Sequence, residues 1–492
     1  MRFKSVIILI LLLTLAFTAC SDSGSDGDTT ATTAADNGEV ISETTTKAKE
    51  LPDLPEITFD GETLNILTWA QSETLVQNDI LAFELNGEPL NDAVYNRNVT
   101  IEERYDMKIN PIETLIYDFR DLSRRVIMSG EKTYDVLNGG IDFTNMLAQS
   151  ELLVNLHDVP YLDLSKSWWD QRCTEDLSIK GKIFLSMGDI NTMDNSQTWG
   201  VIFNKQLAED YGLANMYELV RNGQWTIDIA AEMGKQVIDD LNGDGVMNEN
   251  DRWGDLSENF NFFMHYLGSG EAAFKKDADD YPYPTLDNPR AFEVMDKVYD
   301  YMNSPSVFIA QAWGHLASSS VWLEYIIPMF INNQGLYYIT GIGNTFKHLR
   351  DMECDFGLLP IPKYDEVQDS YYNSINLYWT SCIAVPVTND KLEMTGVILE
   401  ALAAESVDTV TEAYYDIIFL NKAVRDNDSI EMVDLILQTR KFDIGYLNDW
   451  GGMRIMFESF LKSSDKNFAS IYASNESAIN TAFEKGMAIY AD

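Results

Sequence analysis

The stretch DDLNGDGVMNENDRWG, Asp239 to Gly254, sets oxygen-bearing side chains at alternate positions around an Asp-Gly turn. Counted from Asp240 as position 1, Asn242 falls at 3, Asp244 at 5, Gly245 at 6, Val246 at 7, Asn248 at 9 and Asp251 at 12. A calcium ion takes about seven oxygens around a sharp turn of the kind that the glycine permits. Val246 would contribute its carbonyl, and Asp251 stands where a bidentate glutamate is usual, an exchange that should weaken the site or admit a water. Switch proteins carry such loops in pairs, whereas this chain has one. The expectation is therefore a structural Ca2+ that ties down a surface excursion, with an acidic turn that holds no metal as the alternative.

Catalytic signatures are missing. There is no H-E-x-x-H, G-x-S-x-G or Walker loop, and Ser463-x-x-Lys466 lacks the S-D-N and K-T-G companions it would need. His157, His265, His315 and His348 are scattered, and Cys173, Cys354 and Cys382 form no C-x-x-C pair, so neither a zinc site nor a disulfide framework follows. Glycoside hydrolysis needs two carboxylates about 5 to 10 Å apart, yet among 78 acidic residues any chosen pair is arbitrary. The reading is a binding protein with no catalytic residue. With 35 basic against 78 acidic side chains the net charge is −43, which argues against nucleic acid or an anionic membrane surface as a partner.

The elements that would hold such a site alternate between strand and helix. TLNILTW (Thr63 to Trp69) reads as a strand, the segment from Leu90 as a helix delivering a second strand around Met107 to Ile112, and Thr133 to Gly140 as a third strand running into glycines. Strand and helix in series imply a parallel sheet. Ile229, Met233 and Val237 mark one face of a later helix, and Asp428 and Glu431 stand in capping-box spacing at the start of another. Gly335 to Asn344 and Phe356 to Pro362 read as strands ending in glycine or proline.

At the N-terminus Arg2 and Lys4 precede an apolar run from Val6 to Phe17 and then Thr18-Ala19-Cys20. That is an export signal, too short for a comfortable permanent span, and its end resembles the lipobox of bacterial lipoproteins. The resemblance implies that residues 1–20 are a signal peptide, with Cys20 acylated as a two-chain membrane anchor. Residues 21–56, rich in Ser, Thr, Asp and Gly, read as a flexible stalk. The remaining body of roughly 435 residues is too long for one core.

The order of LNILTW, YDVLNGG, LAQSELLVNL, GVIFNK, WTIDIAAEMGK, NNQGLYYITGIGN and DFGLLPIPKYDEVQDSYY behind the lipobox and stalk resembles extracellular solute-binding proteins of ABC importers, the group similar to maltose-binding protein. This resemblance implies an α/β fold of two lobes, each a mostly parallel sheet flanked by helices, joined by a hinge that the chain crosses near Met187 to Trp199 and again near Leu359 to Tyr364. Lobe 1 would comprise 57–193 and 362–405, and lobe 2 194–361 and 406–492. It further implies a monomer on the extracellular face of the bacterial membrane that closes its hinge on a small solute, an oligosaccharide by preference, and delivers it to a permease. A surface glycan-binding adhesin that transports nothing is the alternative, and a secreted hydrolase a third reading.

Sugars present apolar faces and hydroxyl edges, so their sites need aromatic faces beside planar polar groups. Trp69, Trp199, Tyr338, Trp379 and Trp450 stand at expected strand ends or loops, with Asp142, Gln197 and Asn344 as polar partners. The resemblance implies ligand contact at each. Lobe-edge packing stays open for Trp69, a helix N-cap for Asp142 and an interhelical contact for Trp450. Asn344 replaces a tryptophan frequent in the family, which exchanges stacking for a hydrogen bond. Trp168 and Trp169 could stack on ligand or pack a surface helix on its lobe.

Overall fold

The computed structural model describes residues 50–70, 79–316, 318, 320–350, 352–420 and 427–491. The expected signal peptide, Cys20 and nearly all of the stalk lie outside them. Among the described residues eleven strands appear: β1 (Glu62–Trp69), β2 (Met107–Thr114), β3 (Val136–Gly140), β4 (Trp199–Asn204), β5 (Trp253–Ser257), β6 (Phe274–Lys276), β7 (Pro282–Pro284), β8 (Val307–Ile309), β9 (Gly335–Gly341), β10 (Phe356–Leu359) and β11 (Ser381–Ala384).

Local chemistry sets the first unit. β1 buries Leu64, Ile66, Leu67 and Trp69. The helix Pro89–Tyr105 starts with proline, whose missing N–H costs nothing there, and stops at Asp106 in the left-handed region (φ 45°), which turns the chain into β2. β2 and β3 both pair parallel with β1, Leu64 opposite Ile109 and Ile66 opposite Val136. Antiparallel β11 closes the sheet in the order β11-β3-β1-β2. The helix Leu392–Ser406 is buried along most of its length and packs with Ile66, Val136 and Ile383 of this sheet.

The second sheet runs β10-β4-β9-β5-β8. Its β9, β5 and β8 are mutually parallel, but β4 is antiparallel to both β9 and β10. Parallel pairing thus governs one half only, because β4, which enters from the hinge, runs against the other four strands. The helix Ile227–Gln236 is capped by Thr226. Its Gly234 lies so near β5 that a Cβ on Gly254 would sit 2.6 Å from the Gly234 backbone, which brings the helix directly onto β5. The helix Asn427–Gln438 covers β4 and β10 through Val433 and Ile436. No capping box forms at Asp428 and Glu431: both carboxylates hold Arg221 instead.

Among the described residues, two of the segments that link the sheets run side by side. Ser186 pairs with Ile383 and Thr198 with Ile375, both antiparallel, so the outgoing chain at 186–199 lies against the returning chain at 374–383. The return comes later than Leu359 to Tyr364. Lys363 still pairs with Thr226, and Gln368 donates to the Gly268 carbonyl, which keeps 361–373 on the second sheet's side. The first-lobe return expected at residue 362 is therefore shifted past 373. Buried Asp79 fastens the crossing: it accepts from Thr192 N at 2.7 Å, Asn191 Nδ2 at 3.2 Å and the Ser381 hydroxyl, while Arg97 donates to the Asp79 carbonyl at 2.7 Å and to Ser406 at 3.0 Å.

Candidate functional site

The carboxyl ends of β1, β2 and β3 in one sheet and of β5 and β9 in the other point toward the crossing strands, the usual place for a ligand in open α/β sheets. There the structure holds a cleft of about 670 Å³, within the range of small-molecule sites. One wall carries Ile116, Tyr117 and Phe143 from the helices after β2 and β3. The other carries Glu258, Phe260, Trp322, Tyr338, Thr340 and Asn344, and the crossing supplies Gln197, Trp199 and the run Ile375 to Trp379. Nine aromatic rings line it, Tyr446 included.

Five of the eight residues expected at the site meet here. Trp199 opens β4: its N–H donates to the Ser374 carbonyl at 2.9 Å, its ring stands edge-on to Phe260 at 5.3 Å, and its indole N–H has no partner among the described residues. The Gln197 carbonyl accepts from Asn376 N at 2.9 Å, which hangs the Gln197 side chain at the fulcrum. Tyr338 in β9 is opposite Ile202 of β4 and Leu256 of β5. Asn344, in the first turn of the helix Gly343–His348, donates to Thr340 Oγ1 at 2.5 Å. Trp379 is half-buried in a turn whose N–H donates to Asn376 Oδ1 at 3.3 Å.

Three do not line the cleft. Trp69 is buried, its ring against Gly140, where a Cβ would sit 2.8 Å from the indole. This is the packing alternative. Asp142 is no N-cap, because Gly140 occupies that place; its carboxylate pairs with Arg454 at 2.6 Å. Trp450 stacks edge-on to Phe274 at 4.8 Å and Phe483 at 5.0 Å, an interhelical contact in the second unit's core. Trp168 and Trp169 are buried too, both indole N–H groups donating to Glu400 at 3.1 and 2.9 Å.

Glu258, Phe260 and Trp322 escaped the sequence reading. Glu258 directly follows β5, so the strand-end rule would have found it had WGDLS been read as a strand. Burial pushes its carboxyl up to about 7, and Gln311 Nε2 donates to it at 2.9 Å. Burial likewise raises the Tyr338 phenol, and the Glu258 charge adds to that rise.

The Asp240–Asp251 loop is a surface excursion that returns on itself where Asp239 bridges to Arg252. Asp240 accepts from Gly243 N at 2.8 Å and Gly245 N at 2.7 Å, Asn242 from Asp244 N at 2.9 Å, and Asp244 from Val246 N at 2.8 Å. Asp251, buried, accepts from Leu241 N at 3.0 Å and Asn248 N at 2.8 Å. Gly243 (φ 73°) and Gly245 (φ 78°) supply the left-handed turns. Among the described residues no three His, Cys, Asp or Glu side chains gather as a metal cluster. Asn248 Oδ1 accepts from Asn250 N at 2.9 Å and Nδ2 at 2.8 Å, and the Val246 carbonyl from Asn248 Nδ2 at 2.9 Å.

No family model matches the chain, and no curated protein matches it in sequence. Solved structures do match in fold. The cyclic alpha-maltosyl-1,6-maltose binding protein of Arthrobacter globiformis superposes with a TM-score of 0.58 at 14% identity, covering 86% of this chain and 99% of that one. The ABC substrate-binding protein Lmo0181 of Listeria monocytogenes, in complex with cycloalternan, gives 0.56 at 15% identity over 86% and 99%. UgpB of Mycobacterium tuberculosis, in complex with glycerophosphocholine, gives 0.55 at 14% over 82% and 98%. The chain has the two-lobed α/β fold of these solute-binding proteins.

Proposed function

We propose that this chain is an extracellular, lipid-anchored member of the solute-binding proteins of ABC importers, that it captures an oligosaccharide, and that it performs no chemistry on it. The observation that carries the reading is the aromatic cleft built from both sheets at the strands that cross between them. Ring faces of Trp199, Tyr338 and Trp379 suit the apolar faces of sugar rings, and Gln197, Asn344 and Asn376 offer amides to their hydroxyl edges. A solute that touches both walls binds the closed arrangement better than an open one, so it shifts the population toward closure, the form a permease would recognise. The shared fold with sugar-binding proteins supports the same reading. Cys20 would hold the lipid, and the acidic loop would hold a calcium ion through Asp240, Asn242, Asp244, the Val246 carbonyl, Asn248 and Asp251. That ion would supply positive charge to a turn rich in carboxylates, outside the cleft.

Thermal-shift screening of the purified protein against a panel of sugars and peptides tests the proposal, since a ligand of the folded state alone raises the melting temperature. An oligosaccharide is expected to raise it and to compact the protein in solution scattering. Stabilisation by peptides only, or recovery of a bound sugar in cleaved form, would sink the reading.

A further inference from the structure

Glu258 is the sole charged side chain among the described residues of the cleft lining, which contains no Lys, Arg or His. Its position is rigidly specified. The Glu258 N–H donates to Asn261 Oδ1 at 2.8 Å, and Oε1 accepts from Gln311 Nε2 at 2.9 Å. Gln311 is itself oriented, because its Oε1 accepts from Asn259 N at 3.1 Å. The second carboxylate oxygen has no hydrogen-bond partner among the described residues, although only 6% of the residue is exposed and that exposure faces the cleft. Phe260 and Tyr338 share its wall, and Trp199 stands at the crossing with its ring edge-on to Phe260. Arg454, which packs over the Tyr378 and Tyr446 rings of the lining at 5.7 and 5.5 Å, is already paired with Asp142.

A carboxylate that loses water as a cleft shuts opposes closure unless a donor meets it. A sugar hydroxyl can donate to it but leaves the charge uncompensated. An ammonium group donates and also neutralises, and the faces of the surrounding rings attract a cation further. An anionic group would meet the carboxylate with no balancing charge in the lining. Resting on the binding role proposed above, we infer that Glu258 makes the cleft selective by charge: it takes oligosaccharides bearing a protonated amino group and turns away those bearing carboxylate, sulfate or phosphate. The fit is to the amine of an amino sugar placed between Glu258 and the ring of Trp199 or Tyr338.

The test is titration calorimetry of the whole protein near pH 7 with matched sugars that differ at one substituent: amine, acetamide or hydroxyl on the same α-linked and β-linked backbones, with uronate oligomers as the anionic arm. The amino sugars are expected to bind at least about tenfold more tightly than their acetamide and hydroxyl counterparts, and the uronates not at all. Glu258→Gln should erase the amine preference, bringing the amino, acetamide and hydroxyl sugars to within about threefold of one another. A second readout needs no variant. Because the free carboxyl is partly protonated near pH 7, an amine that pairs with it releases a proton, and the heat in the wild type then varies with the buffer's ionisation enthalpy. Equal affinity for amine and neutral sugars, or a preference unchanged in Glu258→Gln, overturns the charge selection while the binding role stands. If no sugar of any charge binds, both fall together.

Discussion

Glu400 illustrates how a single buried carboxyl can be structural. It accepts from both Trp168 and Trp169 and from Asp163 N at 3.2 Å, and burial pushes it up to about 7. Removing it strands two indole N–H groups in the core. Glu400→Ala is expected to cost about 2–4 kcal/mol in urea unfolding; a loss below about 1 kcal/mol would show that the indoles find other partners. The same residues explain what one sequence cannot say. A Trp-Trp pair in SKSWWDQRC has the same appearance whether its rings meet a ligand or a carboxyl from a helix more than two hundred residues away. Trp69 and Trp450 were ambiguous for the same reason: their partners, Gly140 and Phe483, are distant in the chain. Trp199, Tyr338 and Trp379 reached the cleft because the strand ends and turns that carry them open there.

Among the elements, strands and helices with strong local signals were legible. The helix after Thr226, β1 and β2 fall where apolar periodicity and caps put them, whereas Asp428 and Glu431 face Arg221, a long-range ion pair that overrode a local capping pattern. WGDLS gives no clear strand signal because five residues carry little alternation, yet β5 is an interior strand of its sheet, between β9 and β8, and positions Glu258. The acidic loop is the element with its own prediction. If it holds Ca2+, a chelator should lower the melting temperature by a few degrees, added Ca2+ should restore it, and Asp244→Ala should remove the response. A melting curve indifferent to both chelator and Ca2+ would leave an acidic turn held by its own Asx bonds.

For the molecule as a whole, charge dominates the response to pH. Asp255, Glu258 and Glu400 are each pushed up to about 7 by burial. A carboxyl whose folded value lies above its unfolded one binds its proton more tightly when folded. Its contribution to stability is therefore full below the unfolded value, near 4, and is lost as pH rises through about 7. Lower pH also relieves the self-repulsion of a chain at −43. The urea midpoint should rise as pH falls from about 8 to about 5, and Asp255→Asn should flatten part of that slope. A midpoint that falls steadily over this range would show that these buried carboxyls do not take up protons on folding.

The sequence by itself determined the succession of strands and helices, the turn chemistry of the Asp240–Asp251 loop and the excess of acid over base, because each rests on neighbours in the chain or on composition. Only the tertiary structure decided which aromatics face the cleft, where the chain returns across the hinge, and which of 78 acidic residues stands alone in the lining. Those outcomes depend on contacts between segments far apart in the chain, and burial and charge pairing arise there from packing, with no local pattern to announce them.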